Sequence, residues 1–238
     1  MDRQHKYRAT DRLCDLIVDN FSLLMVMSRF GIKLGFGDKT VQDVCVEQDV
    51  DYHTFLAVAN FISEGNLAYN DDEQISLTSL MDYLKNAHTY FLNFNLPTIR
   101  RKLIEALDFS AANDVDVLIL KFFDDYAKEV KRHMEHENKW VFRYVEQLLQ
   151  GKLSDKYRIV DYSSKHTQID TKLKELKNII IKYYPEEGNN NLMNSVLFDI
   201  FNCEQDLISH CDVEDYIFVP AVLRLEKKLS ERRPDDGQ

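Results

Sequence analysis

Along most of this chain apolar side chains recur at three- and four-residue spacing, the period of a helix with one face turned to a core. From about Asp11 to Phe30 the pattern predicts one apolar helix, followed by the glycine cluster Gly31, Gly35 and Gly37. Two shorter helices are predicted over Thr40–Glu47 and Asp51–Ile62. The polar, helix-breaking run Ser63-Glu64-Gly65-Asn66 then leads into the acidic Asn70-Asp71-Asp72-Glu73, the composition of a linker. The chain divides there into a small helical N-terminal domain (1–65), a linker (66–75) and a larger C-terminal domain (76–238).

The larger part predicts four long helices. Helix A starts near Ser76 and runs through Leu80, Leu84, His88 and Leu92 toward Asn95. Pro97 either ends it or opens a continuation to Leu107, because proline is tolerated in a first helical turn. Helix B spans about Asp114 to Leu149, with Gly151 where a C-terminal cap belongs. Helix C spans about Lys156 to Tyr183 and is stopped by Pro185 and Gly188. Helix D spans about Leu192 to Leu229 and carries Pro220, a source of a kink or a break. Four helices with short connections predict an all-α fold, an up-down-up-down four-helix bundle preceded by a small helical domain.

Composition agrees with helices and narrows the partners. Among 238 residues there are 7 glycines and 4 prolines, too few for sandwiches, barrels or low-complexity chains. With 30 Lys plus Arg against 40 Asp plus Glu, the net charge is −10. That sign disfavours nucleic acid and anionic membrane surfaces as partners. The first residues lack the apolar core of a secretory signal and there is no 18-residue apolar run. The four cysteines (Cys14, Cys45, Cys203, Cys211) form no CxxC pair, so free thiols in a reducing cytoplasm are expected. Gly35 and Gly37 follow no strand and precede no Gly-Lys-Ser/Thr, so they do not make a phosphate loop.

The chemical signal is the placement of histidines. His133 is followed four residues on by Glu137, and His210 by Glu214. Residues four apart lie on one helix face about 40° apart and can serve one metal centre. A lone His-x-x-x-Glu is weak evidence in so acidic a chain. The whole set is more telling: His88 and His133 are 45 residues apart, His166 and His210 are 44 apart. A lone histidine then a His-Glu pair thus occurs twice, on helices A and B and again on C and D. The alternative is a set of hydrogen-bonded core and surface histidines, since buried imidazoles need partners of some kind. Imidazole and carboxylate without thiolate favour iron or manganese over structural zinc. Four histidines divided between two metals, two bridging carboxylates and one bridging oxo or hydroxo group would give each metal about five ligands. One open position would remain on each, suited to O2, peroxide or NO.

The stretches Ala87-His88-Thr89-Tyr90-Phe91-Leu92, His133-Met134-Glu135-His136-Glu137, the region of His166, and His210-Cys211-Asp212-Val213-Glu214-Asp215 resemble the hemerythrin-like di-iron domain. Over nearly its full length the chain is similar to the repair-of-iron-centres proteins, also called regulators of cell morphogenesis and NO signalling. The resemblance implies two non-haem irons in an Fe–O–Fe centre, ahead of manganese or zinc. His88, His133, His166 and His210 would be ligands, with Glu137 and Glu214 bridging. It implies a role in nitrosative and oxidative stress, iron–sulfur proteins as partners in cluster repair, and reduction of NO. An NO-reductase-like enzyme is one reading. A reversible O2, NO or iron sensor without turnover is another, and a metal-free helical interaction module is a third.

Two departures from that family stand out. His166 is followed at the fourth position by Asp170 rather than a second histidine, unlike oxygen-carrying hemerythrins. Asp170 is read as a residue outside the metal ligands, and His136 as solvated or supporting. Asp215 competes with Glu214, but five residues from His210 places it about 140° away. The family's adjacent cysteines near the N-terminus are missing here, where Ile32-Lys33-Leu34-Gly35-Phe36-Gly37-Asp38-Lys39-Thr40 stands. Cys45 nearby is read as a buried structural thiol.

Overall fold

The computed structural model describes residues 7–64, 74–107, 114–154, 157–162, 169–185 and 188–232. The fold is all-α, with four small helices followed by a four-helix bundle over residues 77–232. The small helices are α1 (Leu13–Asp19), α2 (Leu23–Arg29), α3 (Val41–Glu47) and α4 (Tyr52–Glu64). The bundle's first long helix is α5 (Leu77–Tyr90), continued through a π-helical turn, Phe91–Asn95, into α6 (Leu96–Leu107). The second is α7 (Asp114–His136), a π-turn at Glu137–Val141, and α8 (Phe142–Leu149). The third is α9 (Ile169–Tyr183). The fourth is α10 (Asn190–Val213), a π-turn at Glu214–Phe218, and α11 (Val219–Arg232).

The chain forms two compact units. One comprises Met1–Ala87, Val145–Val160 and Asp212–Gln238; the other comprises His88–Tyr144 and Asp161–Cys211. In the first, α2 and α3 pack on α4 around Leu13, Leu23, Met27, Val44, Phe55 and Val58, all essentially inaccessible to solvent. The Arg29 guanidinium, itself buried, lies over the Tyr83 ring at 5.8 Å. In the second, α7 packs on α6 and α9 around Leu103, Ile119, Phe123, Tyr126, Leu176 and Ile200. Ion pairs tie its helices at their edges: Lys102 of α6 to Asp199 of α10 at 2.6 Å, and Lys172 of α9 to Glu129 of α7 at 2.5 Å.

Local chemistry explains the helix ends. The Thr40 hydroxyl accepts the Asp43 N–H at 3.1 Å and caps α3, and Asp51 accepts the Thr54 N–H at 2.7 Å at the start of α4, each satisfying a backbone donor that the first turn leaves open. After α8, Gly151 has φ +78°, with its N–H bonded to the Leu148 carbonyl and the Lys152 N–H to the Gln147 carbonyl. That is the paired-bond cap in which glycine carries the left-handed residue. Gly31 closes α2 in the same way.

Two expectations change. The single helix from Asp11 to Phe30 is two, because Asn20 is extended (φ −143°, ψ 98°) and its side chain accepts the Ser22 N–H at 3.1 Å while donating to Ser63 at 3.0 Å. A short amide side chain thereby outcompetes the backbone ladder. Helix C does not begin near Lys156: Ile159–Asp161 is a 3₁₀ turn, and α9 starts at Ile169. The Ile159 N–H is held by the buried Glu226 carboxylate at 3.0 Å instead of entering a longer helix. Pro97 opens the continuation to Leu107, one of its two readings, and the helix likewise runs on through Pro220. Each lies one residue beyond the closing bond of a π-turn, Leu96 N–H to Phe91 carbonyl and Val219 N–H to Glu214 carbonyl. The wider turn accommodates a residue that lacks a donor and would crowd the carbonyl four back. Among the described residues no helix is long and apolar enough to cross a membrane.

Gly151→Ala is expected to lower stability by about 1 kcal/mol, since the site is sterically open but an L-residue resists a left-handed backbone. Urea unfolding measures it, and an unchanged midpoint would show that the cap adds nothing.

Candidate metal centre

Four buried side chains meet where the long helices pass one another. His88 projects from the last turn of α5 and His210 from the last turn of α10, while Glu137 and Glu214 are the first residues of two π-turns. Donor atoms of His88, Glu137, His210 and Glu214 all lie within 4.8 Å of one another. Each of the four is at most 1% exposed. The chain therefore holds a buried two-histidine, two-glutamate cluster able to coordinate a metal ion.

The spacing of sequence positions builds this arrangement. His133 and Glu137 are one helical turn apart, and the His133 Nε2 to Glu137 Oε1 distance is 2.8 Å. His210 and Glu214 have the same separation on one uninterrupted helix, and it is Glu214, not the half-buried Asp215, that enters the cluster. His88 Nε2 lies 3.2 Å from His210 Nε2 and 3.2 Å from Glu137 Oε2. Aromatic rings wall in the imidazoles: Phe142 stacks on His88 with centroids 5.5 Å apart, and Phe91 meets His210 edge-on at 5.9 Å.

The donor arrangement suits the site to a cation. His88 Nδ1 is 3.0 Å from Asn138 Oδ1. An amide oxygen only accepts, so this hydrogen bond assigns the ring proton to Nδ1. In the neutral ring, Nε2 then presents a lone pair to a carboxylate oxygen and to a second imidazole nitrogen. Electron-rich atoms at about 3 Å in a desolvated core repel one another unless a proton or a metal cation lies among them. The donor set, imidazole nitrogen and carboxylate oxygen without sulfur, suits a first-row transition metal such as iron or manganese.

The remaining sequence candidates fall as follows. His133 has a side chain 14% exposed and contacts Glu137. His136 is exposed on the same helix. His166 lies outside the described residues, as does the side chain of Asp170. Asn138 and Tyr162 went unrecognised in the sequence, and both touch the cluster. The buried Tyr162 donates its hydroxyl hydrogen to Glu137 Oε1. No spacing rule marks either residue; Asn138 is signalled only by standing next to Glu137.

The four cysteines are free thiols, Cys45 and Cys203 buried and Cys14 and Cys211 half-buried. Burial, and then the nearby Asp51 charge, push the Cys45 thiol up to about 12. This agrees with a structural thiol, because the nucleophilic thiolate is suppressed at neutral pH.

Residues 79–222 match the hemerythrin HHE cation binding domain. No curated protein matches the chain.

Cys45 in the native protein is expected to stay unlabelled by a disulfide reagent up to about pH 9 and to react only on unfolding, since its thiolate forms near the top of the pH scale. Mass spectrometry of labelled peptides reads this out, with Cys14 and Cys211 as reactive references; rapid native labelling of Cys45 would contradict it.

Proposed function

The chain belongs to the hemerythrin HHE cation-binding family, and on that footing we propose that it is a non-haem di-iron protein of the nitrosative and oxidative stress response, acting on NO, O2 or peroxide. The carrying observation is the sealed meeting of His88, His210, Glu137 and Glu214, with two imidazole nitrogens 3.2 Å apart. We assign His88, His133, His166 and His210 as imidazole ligands and Glu137 and Glu214 as the carboxylates shared between two irons. A bound di-iron centre supplies one-electron redox chemistry and Lewis acidity toward a diatomic ligand.

The protein's own residues set the conditions for that chemistry. Asn138 holds the His88 ring with Nε2 facing inward. Phe91 and Phe142 keep water from the imidazoles, which strengthens every charge interaction inside. Burial this complete favours ligands of diatomic size. His133, the least buried of the described candidates, would lie at the edge through which such ligands enter. Reduction of NO is the activity we favour. Iron–sulfur cluster repair in the cytoplasm is the wider role, achieved without the thiol pair that the repair-of-iron-centres resemblance leads one to expect.

Protein purified without chelator is expected to carry about two irons per chain and to show an oxo-bridge absorption that bleaches with dithionite. His133→Ala and His210→Ala should each lose most of the iron and the band. Little iron after anaerobic reconstitution would sink the di-iron reading. With metal present, a second assay separates enzyme from sensor. The reduced protein with an electron donor should consume many equivalents of NO, whereas stoichiometric, reversible uptake would identify a sensor.

A further inference from the structure

Directly after the 3₁₀ turn at Ile159–Asp161, Tyr162 turns its side chain back to the candidate centre. Tyr162 is 3% exposed, and its hydroxyl donates to Glu137 Oε1. The segment that carries it is anchored three residues earlier, where the Ile159 N–H meets the Glu226 carboxylate at 3.0 Å. Glu137 thus faces three side chains: its Oε1 accepts from Tyr162 and lies 2.8 Å from His133 Nε2, and its Oε2 lies 3.2 Å from His88 Nε2.

A carboxylate at the end of a glutamate side chain turns freely about its last torsion, which is broad and roughly twofold. An ordinary carboxyl group in such a core could rotate and present either oxygen to either imidazole. A phenol O–H fixed in the wall removes that freedom. It occupies one lone pair of Oε1 and leaves the other toward His133, while Oε2 faces His88. Phenol suits this task because it is a neutral donor over the whole physiological range. It adds no charge to a site that must hold a cation.

We propose that Tyr162 is the positioning residue of the metal centre: its hydroxyl sets the rotation of the Glu137 carboxylate so that one oxygen serves each of His88 and His133. This deepens, and rests on, the di-iron reading above. Tyr162 acts through Glu137 and is not itself a ligand.

The test is anaerobic titration of metal-free protein with Fe(II) and with Co(II), comparing the native chain with Tyr162→Phe. The variant is expected to fold, to bind metal 10–100-fold more weakly, as for loss of other groups that orient ligands, and to show altered Co(II) ligand-field bands. A purely structural tyrosine would instead lower the metal-free melting temperature and leave the affinity and the Co(II) spectrum of the folded protein unchanged, which would overturn the proposal. A phenolate-to-iron charge-transfer band in the ferric native protein, lost in Tyr162→Phe, would also overturn it by making Tyr162 a ligand. Should Tyr162→Phe fail to fold, site-specific 3-fluorotyrosine at position 162 keeps the shape and strengthens the donor. A shifted Co(II) spectrum then supports the positioning role, and an unshifted one refutes it. Native protein that binds neither metal refutes the di-iron reading as well, whereas native binding with an unaltered variant refutes this inference alone.

Discussion

The structure around the buried cluster depends on one contact: the Nε2 atoms of His88 and His210, 3.2 Å apart, with a carboxylate oxygen 3.2 Å from the first, a set of donors that needs a proton or a cation among them. A helical core gains its stability by excluding water from apolar side chains. Two carboxylates and two imidazoles there lose hydration that other protein groups replace only in part, at a cost of several kcal/mol for each ion. A cation at their centre does what a shared proton does for one pair, and draws all four donors to a single point. Metal binding and folding stability at such a site are therefore one linked quantity. The aromatic walls matter for the same reason, since they keep the effective dielectric low where the attraction has to be strong.

The helices bend their regularity to serve this cluster. Glu137 and Glu214 each open a π-turn, and a third π-turn begins three residues after His88. An α-helix presents a core face in steps of about 100° per residue. Holding a long bundle helix against its neighbours while aiming a glutamate at a particular point demands more than that pitch allows. A π-turn inserts one residue into the turn and widens the inward face. Adjacent residues are accordingly both buried in these stretches: Val141 with Phe142, Val213 with Glu214, and Ile217 with Phe218. Turns of this kind recur at functional sites because they re-aim side chains at small energetic cost. Pro97 and Pro220 fit as part of the same device, each lying where the widened turn has made a backbone donor dispensable.

The helices and most of the cluster were legible in the sequence because both are written in residue spacing. A three-to-four period is the direct imprint of a buried helix face, and an i, i+4 pair of histidine and glutamate imposes a shared direction whatever the tertiary context. The preference for Glu214 over Asp215 came from that rotation alone. Departures arose where an outcome depended on competition that no period records. Asn20 looked like a polar position within an apolar helix, yet its amide captured the Ser22 N–H and parted α1 from α2. Ile159 lies outside the long helix C because Glu226, 67 residues away, takes its N–H. Tyr162 was invisible for a similar reason. Its meaning lies in a contact with Glu137 across 25 residues, and a tyrosine in a polar stretch carries no sign of where its hydroxyl will land.

The N-terminal departure from the repair-of-iron-centres pattern bears on where chemistry can reside. In the stretch that resembles the family's cysteine segment, Gly35 has φ +95° and Gly37 φ +65°, a left-handed backbone that glycine adopts without strain. The turn thus keeps residues that favour its conformation, while no thiol stands between them. A turn built without sulfur can shape a loop, but it cannot exchange electrons or pass on a metal ion. Cys45, the thiol that follows, is buried and pushed up to about 12, so it cannot substitute as a nucleophile. The donors of the imidazole and carboxylate cluster, by contrast, need no thiolate to hold a transition metal. The absence of adjacent cysteines from that stretch therefore weakens a proposal built on thiol hand-over, and leaves the donors of the buried cluster untouched.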